Sequence, residues 1–360
     1  MKTDNIVSYL EENEERLVEE LRVLLRQPSV SAQNIGVKEC AELLRELMQK
    51  AGIKAKVVPL KGGHPLVLGE VASKVSKRTL LIYSHYDVQP TDPLEEWKYD
   101  PFAAEMKNGV IYARGSSDAK GNLMTAIKAV EYYLDRFGDV PVNLKFIFEG
   151  EEEIESPRLP KFIKDNKAEL NADAVVCLDG GMDRSGRPAI NLGVKGMLYL
   201  ELWCRGSKAD LHSAYAPIVP NPLWRLVHVL QTLRKPSGEI AIEGWCEDAL
   251  PPTPEEMEIL REIPFNEEEL KEQFGITSFL QNLRGLEALK ALIFHPTCTI
   301  CGVKAGYSGP GLKTVLPSEA MAKIDFRLVP NQNPDVLLKR LKEHLVDKGF
   351  GDIEVRVIGS

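Results

Sequence analysis

Residues 80–90 read LLIYSHYDVQP. Four apolar residues, Leu80 to Tyr83, make a strand-like run that delivers Ser84, His85, Tyr86 and Asp87 before Pro90 ends the element. A buried strand that empties into polar residues points to the carboxyl edge of an α/β sheet, where such sheets collect their ligands. In an extended chain His85 and Asp87 face the same side, so the carboxylate can sit beside the imidazole and fix the tautomer of a metal-bound histidine. Taken alone the pair is weak, because a strand-end histidine is more often a capped structural residue.

The same pattern recurs along the chain. VNLKFIFEGEEEIES (142–156) is an apolar strand emptying into Glu149, Glu151, Glu152, Glu153 and Glu155, and ADAVVCLDGG (172–181) is another delivering Asp179. ARGSSDAKGNLMTA (113–126) places Asp118 in a Gly- and Ser-rich loop directly before a helix, where it could equally serve as a cap. Carboxylates crowded at the ends of buried strands repel one another unless cations compensate. A solvated acidic loop would explain the glutamate run but not the other acidic strand ends. Together His85, Asp118, the glutamates and Asp179 supply the nitrogen and oxygen donors of a hydrolytic metal site.

Around these runs the chain alternates strand and helix. Helical spacing covers residues 4–26 and 37–51, short β-branched runs cover 54–60, 66–71, 79–84, 142–148 and 174–178, and a helix covers 121–137. That order predicts an α/β domain with a mostly parallel sheet flanked by helices. The segment DRSGRPAINLGVKG (183–196) breaks the pattern. Beyond it, strand 197–205, helix 221–234, strands near 297–307 and 319–329, helix 334–347 and strand 353–358 suit a small α+β sandwich, with an acidic helical insertion at 254–292. The expected division is 1–190 and 191–360.

Length and composition agree with two globular domains: 360 residues, 44% hydrophobic and 27% charged. A net charge of -8 without a basic stripe disfavours nucleic acid and anionic membranes as partners. The N-terminal stretch carries charges every few residues and lacks an apolar signal core, and no run approaches the ~18 apolar residues of a bilayer span, so the expected location is cytoplasmic. Six scattered cysteines read as reduced thiols. The one C-x-x-C, Cys298 and Cys301, lies in a strand-like run that would turn the two thiols to opposite faces.

In this order SHYDVQP, WKYDPF, ARGSSDAKG, FEGEEEIES, CLDGG, DLHSA and DFRLVP resemble the metallopeptidase family of aminoacylase, glutamate carboxypeptidase, succinyl-diaminopimelate desuccinylase and carnosinase-type dipeptidases. The spacings are most similar to the carnosinase branch. The resemblance implies a zinc-peptidase fold with a ferredoxin-like lid and dimerisation domain, two Zn²⁺ per subunit with Mn²⁺ or Co²⁺ as substitutes, and a homodimer. It implies that His85 and Asp179 bind one metal, Glu153 the other, and Asp118 both. Asp87 would orient His85, and Glu152 would be the general base for hydrolysis of a dipeptide or N-acyl amino acid. His212 in ADLHSAY would stabilise the oxyanion, reaching into the neighbouring subunit's site. Arg327 in KIDFRLVP would take the substrate carboxylate, assisted by Thr314.

Glu151 stands where this branch often has an uncharged residue. The resembling proteins also return to the catalytic domain after the second domain and supply a last metal-binding histidine, whereas this chain stops at Ser360. After Arg327 its only histidine is His344, on an amphipathic helix that resembles the second domain. The expectation is therefore a catalytic domain lacking its C-terminal part, with the Glu153 metal one ligand short. Two readings follow: a di-zinc amide hydrolase, or a catalytically impaired homologue acting as a metal- or peptide-binding dimeric module.

Overall fold

A computed structural model describes residues 4–182 and 189–360. Residues 183–188, the start of the Gly-, Arg- and Asp-rich segment, lie outside the described residues. The chain divides into two compact units, Met1–Ala189 and Ile190–Ser360.

The first unit opens with helices α1 (Asp4–Arg26) and α2 (Val37–Lys50), followed by strands β1 (Lys54–Val58), β2 (Leu66–Val71) and β3 (Thr79–His85). A small hairpin of β4 (Glu105–Lys107) and β5 (Val110–Tyr112) precedes helix α3 (Lys120–Phe137) and strand β6 (Asn143–Glu149). Short helices α4 (Leu159–Asp165) and α5 (Lys167–Leu170) lead to strand β7 (Ala174–Cys177).

The main sheet has the order β1-β2-β6-β3-β7. It is mixed: β6, β3 and β7 run parallel, whereas β1 and β2 pair antiparallel and β2 pairs antiparallel with β6. The seven residues joining β1 to β2 are too few for a parallel crossover, which needs a dozen or more. Alternation divides the sheet's apolar side chains between two faces. Leu144, Phe146 and Phe148 of β6 join the core beneath α2 and α3, and Ile147 joins the opposite cluster with Leu66, Leu68 and Leu159. β3, paired on both sides, sits well inside the sheet, so its carboxyl end opens between those of β6 and β7.

The second unit begins with β8 (Gly196–Arg205) and the two-residue strand β9 (Leu211–His212), followed by helix α6 (Pro222–Leu233). Helices α7 (Pro254–Glu262), α8 (Glu267–Phe274) and α9 (Gly285–Phe294) form the acidic insertion. Strands β10 (Thr297–Ala305), β11 (Val315–Leu316) and β12 (Glu319–Leu328), helix α10 (Pro334–Asp347) and strand β13 (Glu354–Gly359) complete it. Its four long strands form an antiparallel sheet in the order β10-β12-β8-β13, the ferredoxin-like arrangement. Leu198, Leu200, Leu202 and Cys204 of β8 alternate inward against Leu226, Val229 and Leu233 of α6 and Leu337, Leu341 and Leu345 of α10. Trp224 and Val227 lie on the exposed side of α6.

All six cysteines are free; in β10, Cys298 is buried and Cys301 exposed. Among the described residues no helix is long and apolar enough to cross a membrane.

Candidate metal centre

The three parallel strands deliver their polar ends to one place. His85 is the last residue of β3 and lies opposite Glu149, the last residue of β6. The chain then turns sharply at Gly150, where a Cβ would come within 2.5 Å of the Tyr86 hydroxyl oxygen, so only glycine fits the corner. A single 3₁₀ turn, Glu152–Ile154, follows and presents two adjacent glutamates. Beyond β7, Leu178 still bonds to β3 through the Tyr83 carbonyl at 2.8 Å, which places Asp179 beside the same strand end.

His85 is fully buried, with its Nδ1 3.1 Å from the Asp87 main-chain oxygen. That contact makes Nδ1 the N–H donor and turns Nε2 towards the carboxylates, the tautomer a metal-binding imidazole needs. Nε2 lies 2.9 Å from Asp118 Oδ1, 3.7 Å from Asp179 Oδ1 and 3.9 Å from Glu152 Oε2. The donor atoms of His85, Asp118 and Glu153 all lie within 4.8 Å of one another, and so do those of His85, Glu152 and Asp179. Asp118 makes no capping bond to α3, whose N-cap is Ala119. Among the described residues no second histidine joins either group.

Asp87 does more than face the histidine. Its buried carboxylate accepts the Glu152 N–H on Oδ1 at 3.2 Å and the Glu153 N–H on Oδ2 at 3.1 Å, while Oδ1 stays 3.5 Å from His85 Nδ1. One side chain thus ties β3 to the glutamate turn. Gln89 Nε2 donates to Glu153 Oε2 at 2.9 Å. Sequence reasoning passed over Gln89, although the alternation of His85, Asp87 and Gln89 places all three on one side of an extended chain.

The glutamate run separates into different environments. Glu149 is buried and accepts bonds from the Tyr83 and Ser156 hydroxyls at 2.5 and 2.9 Å; burial raises its pKa. Glu151 is buried against Arg158 and the His64 N–H. Only Glu152 and Glu153 turn towards His85.

Burial, reinforced by Asp179 and Glu153, raises the pKa of Glu152; burial, reinforced by Asp118, raises that of Glu153. Burial would lower the pKa of His85, but Asp87, Glu152 and Asp179 outweigh it and push it up to about 10. Among the described residues no lysine or arginine pairs with Asp118, Glu152, Glu153 or Asp179. One imidazole whose Nε2 faces four carboxylates that no lysine or arginine among the described residues pairs with fits a divalent cation.

In the second unit His212 lies on β9, paired with Val315 of β11. Its Nδ1 accepts the Ala214 N–H at 3.1 Å, so in the neutral ring Nε2 carries the proton, 3.2 Å from Thr314 Oγ1. Thr314 therefore partners His212. Arg327 lies near the end of β12 with its Nε donating to Asp325 at 2.9 Å. The pairing of Leu328 with Gly196 brings Lys195 to the same edge, where burial and the Arg327 charge lower its pKa. No local pattern in the sequence marks Lys195; strand register alone puts it there.

Fold and donor set together define the class of α/β metallohydrolases carrying an added α+β domain. Residues 81–339 match Peptidase family M20/M25/M40, and the chain belongs to that family. It is 33% identical to the Cys-Gly metallodipeptidase dug1 of Schizosaccharomyces pombe over 98% of this chain and 77% of that protein. It is also 33% identical to the Beta-Ala-His dipeptidase of Homo sapiens over 79% of this chain, which spans 56% of the human protein's length. Among solved structures, an M20 family metallo-carboxypeptidase from Sulfolobus solfataricus superposes with a TM-score of 0.85 and 43% identity, covering 94% of this chain and 77% of that one. Relatives that are metallodipeptidases support metal-dependent peptide hydrolysis.

Proposed function

We propose that the chain hydrolyses the amide bond of a dipeptide or N-acyl amino acid, with residues 1–190 as the catalytic domain and 191–360 as a lid and dimerisation domain. The observation that carries this reading is the convergence of His85, Asp118, Glu152, Glu153 and Asp179 within two overlapping groups of donor atoms. His85 and Asp179 would hold one divalent cation and Glu153 the other, with Asp118 available to both. Zn²⁺ is the expected ion, and an oxygen-rich set with one imidazole also accepts Mn²⁺ or Co²⁺. When bound, such ions polarise the scissile carbonyl and lower the pKa of water.

Glu152 is the general base. It takes the proton of the attacking water on its carboxylate and passes it to the leaving amine, a task served by the burial that raises its pKa. Asp87 holds the Glu152 and Glu153 amides and faces Nδ1 of His85, so the base and the metal-binding imidazole share one support. His212, its Nε2 beside Thr314, donates to the developing oxyanion, reaching the partner's site in a homodimer. Arg327 binds the substrate's terminal carboxylate through its fork of donors. Exposed Trp224 and Val227 on α6 support pairing through the second domain. The protein is read as cytoplasmic.

The test is metal content together with turnover on a panel of dipeptides. Two zinc ions per chain, and hydrolysis abolished in Glu152→Ala while the metal is retained, are the expected results. A chain that binds metal but cleaves no member of the panel refutes the reading.

A further inference from the structure

The turn that carries Glu152 and Glu153 is not relaxed. Glu155 and Ser156 follow it with φ of 70° and 48°, two consecutive non-glycine residues in the left-handed region. Such backbone persists only where neighbouring groups over-determine it. Two buried carboxylates do so. Glu149 accepts the Ser156 hydroxyl from inside the sheet. On the outer side, Glu151 Oε1 accepts the His64 N–H at 2.9 Å and Arg158 at 2.8 Å, while the Glu151 carbonyl accepts the N–H groups of Ile154 at 3.2 Å and Ser156 at 2.8 Å.

Glu151 is 2% exposed, and its Oε2 is buried without a partner. A charged group is placed there at a cost, for a contact that ties the turn to the loop at His64 and to the start of α4. The clamp closes directly over Gly63. A Cβ at that position would come 2.4 Å from Arg158 Cδ and 2.5 Å from Glu151 Oε1.

We propose that Glu151, clamped by Arg158 and the His64 N–H over Gly63, is a positioning residue that holds the Glu152–Glu153 turn in the geometry its metal and proton chemistry requires. This rests on the reading of Glu152 and Glu153 given above. Asp87 fixes the two amides from below and Glu151 fixes the turn from outside, so loosening either frees both carboxylates.

Two variants open the clamp independently. Glu151→Leu removes the acceptor, and Gly63→Ala pushes the Glu151–Arg158 pair aside from a position outside the acidic run. Co²⁺ is the probe, its affinity measured by visible absorbance and chelator competition on protein whose circular dichroism matches the parent. Both variants should bind Co²⁺ roughly 10- to 100-fold more weakly, the usual cost of losing an outer-shell support. Glu151→Gln, which keeps an acceptor for His64, should restore most of the affinity. Val130→Ala in the buried core of the first unit is the control for stability alone: it should lower the melting temperature without changing Co²⁺ affinity. If the parent binds Co²⁺ and both clamp variants bind it equally well, or no worse than Val130→Ala, the clamp is overturned and the metal reading stands. If the parent binds no Co²⁺, the metal reading fails and takes the clamp with it.

Discussion

Asp87→Asn separates the support of the site from its chemistry. The side chain is fully buried, and each carboxylate oxygen takes one main-chain N–H, from Glu152 and from Glu153. Asparagine keeps the shape but offers one acceptor, so one amide faces an NH₂ group and loses its bond. A hydrogen bond to a charged acceptor is worth about 1.5–3 kcal/mol, and the abandoned donor is half-buried. Removing the charge relieves repulsion with Glu149, Glu152 and Glu153, but it also removes attraction to His85, which carries a proton up to a pKa of about 10. These two long-range effects oppose each other, which leaves the lost bond to decide the sign.

For a unit of this size each kcal/mol moves the melting temperature by about 2–4 °C, so the chelated protein should melt about 3–12 °C lower. Zn²⁺ affinity at neutral pH should fall roughly 10- to 100-fold, because both the imidazole and the glutamate turn lose their support. Asp87→Ala, which leaves both amides without an acceptor, should fall further on both measures. Thermal melts in chelator and zinc competition titrations provide the readout. An Asp87→Asn protein that melts with the parent and binds zinc as tightly would refute the assignment of Asp87 as the joint between β3 and the turn.

Other outcomes follow from the second unit. His344 is buried on α10 with Nε2 unpartnered, and burial, aided by the Lys348 charge, lowers its pKa. The folded state therefore favours the neutral ring. The associated stability is present above the unfolded value of ~6.5 and is lost as pH falls through the lower folded value. The melting temperature should drop between pH 7 and 5, and His344→Leu should flatten that drop; an unchanged slope would show that His344 does not supply it. Arg327→Ala should raise KM for substrates with a free terminal carboxylate by roughly 10- to 100-fold, the equivalent of one charge-assisted bond, and leave amidated analogues unaffected. Equal losses on both substrates would remove Arg327 from carboxylate recognition.

What was legible in the sequence follows from what periodicity encodes. The apolar runs before His85, Glu149 and Asp179 announce strands, and their abrupt polar ends mark a single edge, because parallel strands deliver their carboxyl ends together. The run before Asp179 was expected to be buried as well, whereas β7 stands at the end of the sheet order with all four of its residues exposed. The ferredoxin-like order of the second unit was readable for the same reason. The direction of β2 relative to β6 was not, since alternation gives the face of a strand but not the heading of its neighbour. Lys195 was equally hidden, because only the register of β8 against β12 brings it to Arg327.

The glutamate run shows where such reading stops. Glu149, Glu151, Glu152, Glu153 and Glu155 are chemically identical and nearly adjacent, so their separation depends on partners distant in sequence. Tyr83 and Ser156 claim Glu149, Arg158 and His64 claim Glu151, and the Asp87 carboxylate claims the amides of the next two. Once those anchors are occupied, and with Glu155 exposed beyond the turn, Glu152 and Glu153 are the members of the run left to face His85. Their availability for chemistry is thus a consequence of what binds their neighbours, which is why a substitution at Glu151 or Gly63, neither of which faces the centre, is expected to be felt within it.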